Sequence, residues 1–365
     1  MATTSQLIIY SSNDAGSPQM NGMTGSLLAV LNACLVTGYG NKAPAGWLKP
    51  FNDASASAGP PTLGGFTMPS GSGMSVFIND AGYNATALGA EASAIGWEKL
   101  LNPSGSYTQI VPINLTQSIG GGSGQFPTTP ILANSAAPGG RVVWRKSQGP
   151  TTISRTWYLY ADEYTFYLFI QTGDTAGVYY SGMFGDIYSF RGMADTYRCA
   201  IVGRTIDSSS AVGSNSANDN WDAIQSTDYA GSFKHNLNTP AYGHYMARNF
   251  GGGGGSALLS GKSADVGKMT GYSGNSLPLA GLIPYPNGPD QAIYISPVVV
   301  IDYLTATIRG KFRGVYQVCH STANFYDGQI FGGSNEFFGK TFQIVKAGPN
   351  AGFWAMEISP TVDSN

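Results

Sequence analysis

One stretch near the N-terminus carries its apolar residues at helical spacing. They recur there at intervals of three and four positions: Leu27, Leu28, Leu31 and Leu35, with Val30 and Cys34 widening the stripe. This spacing predicts an amphipathic helix over residues 24–36. Thr24 or Ser26 could cap its start, and Gly38 supplies the left-handed residue that commonly ends a helix.

The apolar pattern of the rest of the chain is typical of strands. Residues 156–173 predict a hairpin that turns at Asp162 and Glu163, and the alternating side chains of residues 157–160 predict a sheet with one face in the core. Further strands are predicted in β-branched and aromatic runs: residues 75–80, 109–115, 141–147, 177–190, 292–319, 339–348 and 353–359. The chain should therefore be mainly β with a short N-terminal helix.

The composition changes over residues 207–281, which are rich in Gly and Ser and include the run Gly251–Gly255. Such stretches are typical of loops and linkers. We therefore predict a β-sandwich-like body with one long insertion. Residues 1–206 would form the body with the helix, residues 207–281 the Gly/Ser-rich insertion, and residues 282–365 the closing strands of the same body.

The loop that follows the predicted helix, GYGNKAPAGWLKPF, could be the lip of an active site or a buried structural clamp. Gly38 and Gly40 would let the chain turn sharply. Trp47 and Phe51 would then serve as anchors against the leucine stripe of the helix. A loop broken by Pro and Gly that presents two large aromatic residues suits burial better than catalysis, and we favour the clamp.

Charge and cysteine usage narrow the functional classes. Charged residues make up 11% of the chain and the net charge is −2, so no global attraction to nucleic acid or anionic membranes is expected. A weakly charged, aromatic-rich surface favours contacts with other protein chains. Cys34, Cys199 and Cys319 fit no metal-site spacing and are predicted to be unpaired, buried thiols. Neither a signal peptide nor a bilayer-spanning run is predicted, which indicates maturation in a reducing cytoplasm.

No sequence motif predicts an enzyme or a cofactor. Residues 255–263 and 333–341 resemble phosphate-binding loops, but each has five residues where that motif has four. The histidines lack the spacing of a zinc site or of a catalytic motif. Asp162 and Glu163 are neighbours at a predicted turn, where solvated side chains are expected rather than a facing pair of catalytic carboxylates.

Basic residues cluster once, in TIRGKFRGVYQ. Arg309, Lys311 and Arg313 alternate and should line one face of a strand. The other face would be buried by apolar residues: Ile308, Phe312 or Val315. The basic stripe is a candidate subunit contact, because Arg is enriched at interfaces, and a simple solvated face is the alternative.

Several segments resemble a family of tailed-bacteriophage proteins found among virion structural genes. The opening SSNDAGSPQMNGMTGSLLAVLNACLVTGYGNKAPAGWLKPF is similar to the start of that family. RVVWRKS, SRTWYLYADEYTFYLFIQTGD, FGDIYSF and YRCAIVGR are similar to its central block, and IRGKFRGVYQVCH, FYDGQIFGG and GKTFQIV to its closing block. Residues 207–281 lie outside the resemblance.

The resemblance implies a virion component but no ligand or catalytic residue. We expect a multi-copy structural protein, made in the host cytoplasm and carried in the virion at the tail or baseplate, whose partners are copies of itself and other virion proteins. A head-decoration or neck-collar protein is the close alternative. A receptor-binding module at a fibre tip, contacting the host surface, is a second hypothesis, and a virion-borne hydrolase is disfavoured by the motifs.

Overall fold

A computed structural model describes most of the chain. It covers residues 6–52, 62–80, 90–101, 121–126, 142–174, 179–205, 244–253, 256–262, 289–302, 307–318, 320, 325–346 and 353–358. Within these ranges the protein is mainly β with one short α-helix near the N-terminus, which confirms the predicted fold class. The predicted strand at residues 109–115 lies outside the described residues.

The helix and the strands have the following bounds. Helix α1 spans Ser26–Asn32. The first ten strands are β1 Ile8–Ser11, β2 Leu48–Asn52, β3 Leu63–Thr67, β4 Ser75–Asn79, β5 Glu91–Leu101, β6 Gly121–Phe126, β7 Val142–Arg145, β8 Trp157–Ala161, β9 Thr165–Ile170 and β10 Tyr180–Asp186. The others are β11 Tyr188–Ser189, β12 Cys199–Val202, β13 Arg204–Thr205, β14 His244–Met246, β15 Ser256–Lys262, β16 Ile295–Asp302, β17 Thr307–Val318, β18 Ile330–Gly332, β19 Thr341–Lys346 and β20 Phe353–Ile358.

In the described part of the chain, the strands form a 13-stranded and a 7-stranded antiparallel sheet. The larger has the order β1-β8-β9-β10-β12-β14-β15-β16-β17-β20-β19-β18, with β11 beside β17, and the smaller has the order β13-β7-β5-β4-β3-β2, with β6 beside β5. Strand β15 divides the larger sheet, because its first two residues pair with β14 and the remainder with β16. A parallel bridge between Leu7 and Ile358 brings the two halves together.

The described strands form three layers. Strands β8, β9, β10 and β12, from one half of the larger sheet, form the middle layer. The smaller sheet packs on one face of this layer, and β16, β17, β19 and β20 from the other half pack on the opposite face. The predicted hairpin is present, since β8 and β9 pair directly from Trp157↔Ile170 to Ala161↔Phe166. The prediction that only one of its faces is buried was wrong. Trp157 and Leu159 pack towards α1 and the smaller sheet, whereas Tyr158 and Tyr160 pack towards the far half of the larger sheet.

The helix ends as predicted but begins differently. It continues through a π-helical turn at Ala33–Thr37 and stops at Gly38, whose φ is 75°. Its N-cap residue is Gly25, which has no capping side chain. The predicted caps Thr24 and Ser26 were therefore wrong. Asp80, from the end of β4, supplies the cap from across the fold.

The predicted insertion is not simply a loop. Strands β14 and β15 lie within residues 207–281, and they connect the two halves of the larger sheet. The Gly and Ser residues around them leave little strand signal in the sequence. The rest of the predicted insertion is described only at residues 247–253. Cys34 and Cys199 are buried free thiols, as predicted, and Cys319 lies outside the described residues.

Candidate functional site

The glycines of the predicted clamp allow two close backbone approaches. Gly40 has a φ of 50°, and a Cβ at this position would lie 2.3 Å from the carbonyl oxygen of Ala15. Gly38 is similar, because its Cβ would lie 2.6 Å from the carbonyl oxygen of Lys42. Any side chain at Gly40 would therefore separate the turn from the N-terminal segment.

Trp47 is buried at the centre of this arrangement. Its backbone N–H donates to the carbonyl oxygen of Leu35 at 2.9 Å, which holds it against the end of the helix. Its indole Nε1 donates to the carbonyl oxygen of Asp162 at 2.7 Å, and its ring meets Phe166 edge-on at 5.4 Å. Trp47 thus links the helix to the turn of the central hairpin.

Phe51 does not take part in this packing, so the predicted contact with the helix was wrong. It lies opposite Gly65 in the smaller sheet and contacts Phe77 at 5.3 Å between ring centroids. The helix covers the other face of that sheet, where a Cβ on Gly64 would meet Leu28. The register of β2 shifts between Leu48 and Phe51, and this irregularity interrupts the alternation that would place Phe51 on the same face as Trp47.

Arg309, the first residue of the predicted basic stripe, is buried, so it does not form the predicted exposed contact. Ile308 pairs with Ile301 and Gly310 with Val300, which leaves Arg309 as an extra residue in a β-bulge. The bulge interrupts the alternation on which the prediction depended. It also leaves Ile308, predicted to be buried, 55% exposed.

The buried guanidinium of Arg309 binds the carboxylate of Asp195 through two nitrogens, Nε at 2.8 Å and Nη2 at 2.7 Å. It also donates to the carbonyl oxygens of Arg248 and Tyr197. Burial alone would raise the pKa of Asp195, but the hydrogen bonds and charge of Arg309 outweigh it and hold that pKa below its ordinary value. The pair fastens the segment after β11 to β17.

The other two residues of the stripe are partly buried over aromatic rings. Lys311 Nζ lies 5.5 Å from the ring centroid of Tyr188, and the Arg313 guanidinium lies 4.3 Å from that of Tyr164. Arg313 also approaches the Asp162 carboxylate at 3.6 Å. Asp162 is buried, contrary to the prediction of a solvated turn residue, and its carboxylate accepts the backbone N–H groups that close the hairpin.

Next to Arg309 the protein exposes a group of large apolar side chains, which we call the Phe190 patch: Tyr188, Phe190, Met193, Phe250 and Ile308. Phe190 is 60% and Met193 71% exposed. The Phe190 N–H donates to the carbonyl oxygen of Arg309 at 3.0 Å, and Arg191 lies 4.7 Å from the Phe250 ring centroid. These contacts bring residues from three separate segments together. The sequence pattern does not predict the patch, because its aromatic residues are also typical of a buried strand.

A second surface feature is a groove between residues 290–295 and 331–337. It encloses about 420 Å³. Its lining combines aromatic rings with acidic and amide side chains: Asp290, Gln291, Tyr294, Phe331, Asn335, Glu336 and Phe337. We call it the Tyr294 groove. No signal in the sequence indicated it, because its two walls are far apart along the chain.

A buried ion pair lies at the start of helix α1. One carboxylate oxygen of Asp80 accepts the N–H groups of Leu27 and Leu28, at 2.9 and 3.2 Å. The other contacts Lys146 Nζ, which also donates to the carbonyl oxygen of Met23 at 2.7 Å. Burial raises the pKa of Asp80 and lowers that of Lys146, while the attraction between the two groups opposes both shifts. Each polar atom has a partner, and the pair organises the helix N-terminus.

Two comparisons with known proteins, one with protein families and one with curated proteins, give no match. No protein-family model matches the chain, and no curated protein is significantly similar to it. Within the described ranges, His, Cys, Asp and Glu side chains form no group that could hold a metal ion. The helices in the same ranges are all too short or too polar to cross a bilayer.

Proposed function

We propose that this protein is a bacteriophage virion structural protein, a multi-copy assembly component of the tail or baseplate with a structural rather than a catalytic role. The observation that carries the proposal is the Phe190 patch. The sequence resemblance to virion structural proteins supports the same function. The patch contact would join copies of the same chain within the particle.

Leaving such a patch in water costs free energy, which favours an interface. Exposed apolar groups that lie together normally mark contact sites, whereas single exposed side chains need no explanation. Two Phe, one Tyr, one Met and one Ile are exposed here around Arg191 and Lys311. Aromatic residues, Met and Arg are the types enriched at protein interfaces. Repeated virion components use the same surface in every copy, which favours contact between like chains.

The test compares assembly of the purified chain with a double variant of the patch. Phe190→Ser with Met193→Ser should shift the sedimenting species from oligomer to monomer in analytical ultracentrifugation. Phe338→Ser with Ile153→Ser is the matched control, since both residues are similarly exposed and lie outside the patch. A wild-type chain that stays monomeric at high concentration, or a control that dissociates equally, would contradict the role of the patch.

Location in the virion requires a separate experiment. Mass spectrometry of purified particles should find the chain in multiple copies, and a particle reconstruction should show it in the tail or baseplate with specific contacts of about 1,000 Å² or more. Density at the head surface or neck would favour the head-decoration or neck-collar alternative. Absence from purified particles would refute the virion proposal.

A second candidate function is a receptor-binding module at a fibre tip. The observation that favours it is the Tyr294 groove, which is open to the surface and lined by mixed aromatic and polar side chains. A host surface receptor would then be the partner. An isolated appendage in the reconstruction, with few contacts to neighbouring chains, would support this function over the assembly role.

A further inference from the structure

The Tyr294 groove has a rigid aromatic floor. Phe331 stacks on the buried Phe342, with ring centroids 5.3 Å apart and planes 21° apart. Phe337 meets the same ring edge-on at 5.5 Å, and Tyr316 packs against Phe342 from another side. The floor is therefore formed before any ligand arrives, which is the usual condition of small-molecule sites.

Tyr294 forms one wall, and the residue is held both at its hydroxyl and at its backbone. Its hydroxyl donates to the carboxylate of Asp290 at 2.5 Å, and its backbone N–H donates to Nε2 of His320 at 2.7 Å. The side chain is nevertheless 49% exposed. A fixed, half-exposed ring presents an apolar face at little cost in conformational entropy when a ligand stacks on it.

The backbone of both walls is strained. Gln291 has a φ of 58° and Asn335 a φ of 52°, and among the described residues these are the non-glycine positions with positive φ. Both line the groove. Left-handed residues other than Gly are retained where the surroundings hold them, and such strain clusters at ligand-binding sites. In this conformation the two amide side chains lie at opposite walls of one groove.

We propose that the Tyr294 groove binds a neutral carbohydrate. A sugar ring combines a C–H face, which packs on an aromatic ring, with hydroxyls that both donate and accept hydrogen bonds. Amides and carboxylates are suitable partners for such hydroxyls, and Asn335 and Glu336 supply both types. Among the described lining residues two are acidic and none is basic, which disfavours phosphate and other anions. The proposal does not depend on the virion assignment.

The test uses saturation-transfer difference NMR on the purified full chain with neutral disaccharides: maltose, cellobiose, lactose and N,N′-diacetylchitobiose. We expect transfer to at least one of them, localised to one face of a sugar ring. Tyr294→Ala should weaken the binding about tenfold or more, because it removes the stacking surface. Tyr326→Ala is the control, since Tyr326 is 67% exposed and does not line the groove.

Asn335→Gly separates binding from folding. Gly adopts the left-handed conformation without strain, so this variant should fold at least as stably as the wild type while losing affinity for the sugar. Failure of all four disaccharides to bind would overturn the proposal. Equal binding by wild type, Tyr294→Ala and Asn335→Gly would also overturn it, as would binding of a peptide library along the edge strand β18 in place of any sugar.

Discussion

Breaking the buried Asp80–Lys146 pair should cost far more stability than breaking an ion pair at the surface. Asp80→Asn keeps an oxygen that can accept from the start of α1 but leaves Lys146 charged in a site with no solvent exposure. Lys146→Met leaves the opposite defect, a buried carboxylate without its cation. Removing one partner of a buried pair costs about 3–5 kcal/mol, so each single variant should lose that much of the free energy of unfolding.

The double variant provides the sharper part of this experiment. Asp80→Asn with Lys146→Met removes both charges and retains the helix cap, so it should lose only about 1–2 kcal/mol, mainly from the hydrogen bond of Lys146 to the Met23 carbonyl oxygen. The two single losses therefore should not add, and a double-mutant cycle should give a coupling of about 4 kcal/mol or more. Urea unfolding followed by tryptophan fluorescence and circular dichroism measures all four free energies.

The matched control is Asp174→Asn. Asp174 binds Arg155 at 2.7 Å, but its side chain is 91% exposed, so its loss should cost less than about 1 kcal/mol. If Asp80→Asn costs no more than Asp174→Asn, the buried pair does not hold the helix to the sheet. Additive single losses would equally show that the two charges do not act together.

Three further predictions concern the core, the tight turn and acid stability. Trp157→Ala should lower the free energy of unfolding by about 3–5 kcal/mol, and a loss below about 1 kcal/mol in urea would contradict its burial in the middle layer. Gly40→Ala should cost about 2 kcal/mol or more because of the backbone oxygen 2.3 Å from its Cβ, whereas Gly46→Ala, with nothing within 4 Å, should cost only the strain of its positive φ. The lowered pKa of Asp195 gives stability that is present above the ordinary carboxylate pKa of about 4 and is lost as the pH falls through the folded-state value, so Asp195→Asn should flatten the acid side of the stability profile.

Local pattern predicted much of the fold but not its layering. The helix, its end at Gly38 and the central hairpin follow from apolar spacing and turn residues, which act within a few positions of the chain. Burial of both hairpin faces does not follow from local pattern, because Tyr160 carries a polar hydroxyl and its residue type is only intermediate in burial. In the structure its hydroxyl donates to Gln343 Oε1 at 2.6 Å, and this contact across the fold makes the residue suitable for a core.

The candidate sites are formed, even more than the fold, by contacts between residues that are far apart in the sequence. The alternation of Arg309 and Lys311 predicted a shared face, and the bulge at Arg309 removed it. Asp80 and Lys146 are typical surface residues by type, and their burial follows from meeting each other and the helix N-terminus. The two walls of the Tyr294 groove are separated by strands β16 and β17, and neither wall carries a recognisable motif. Spacing along one segment contains none of this information.

Layering also changes what the composition implies about assembly. Charged residues make up 11% of the chain, and an average soluble domain has roughly 25%. Strands β8 and β9 are buried on both faces, so their positions exclude charge whether or not the chain has partners. Low charge is therefore in part a consequence of the stacked sheets and is weak support for an interface. The proposed assembly therefore depends on the exposed apolar side chains of the Phe190 patch. For this reason the variant with Phe190→Ser and Met193→Ser, rather than a general increase in surface charge, separates an assembling chain from a solitary one.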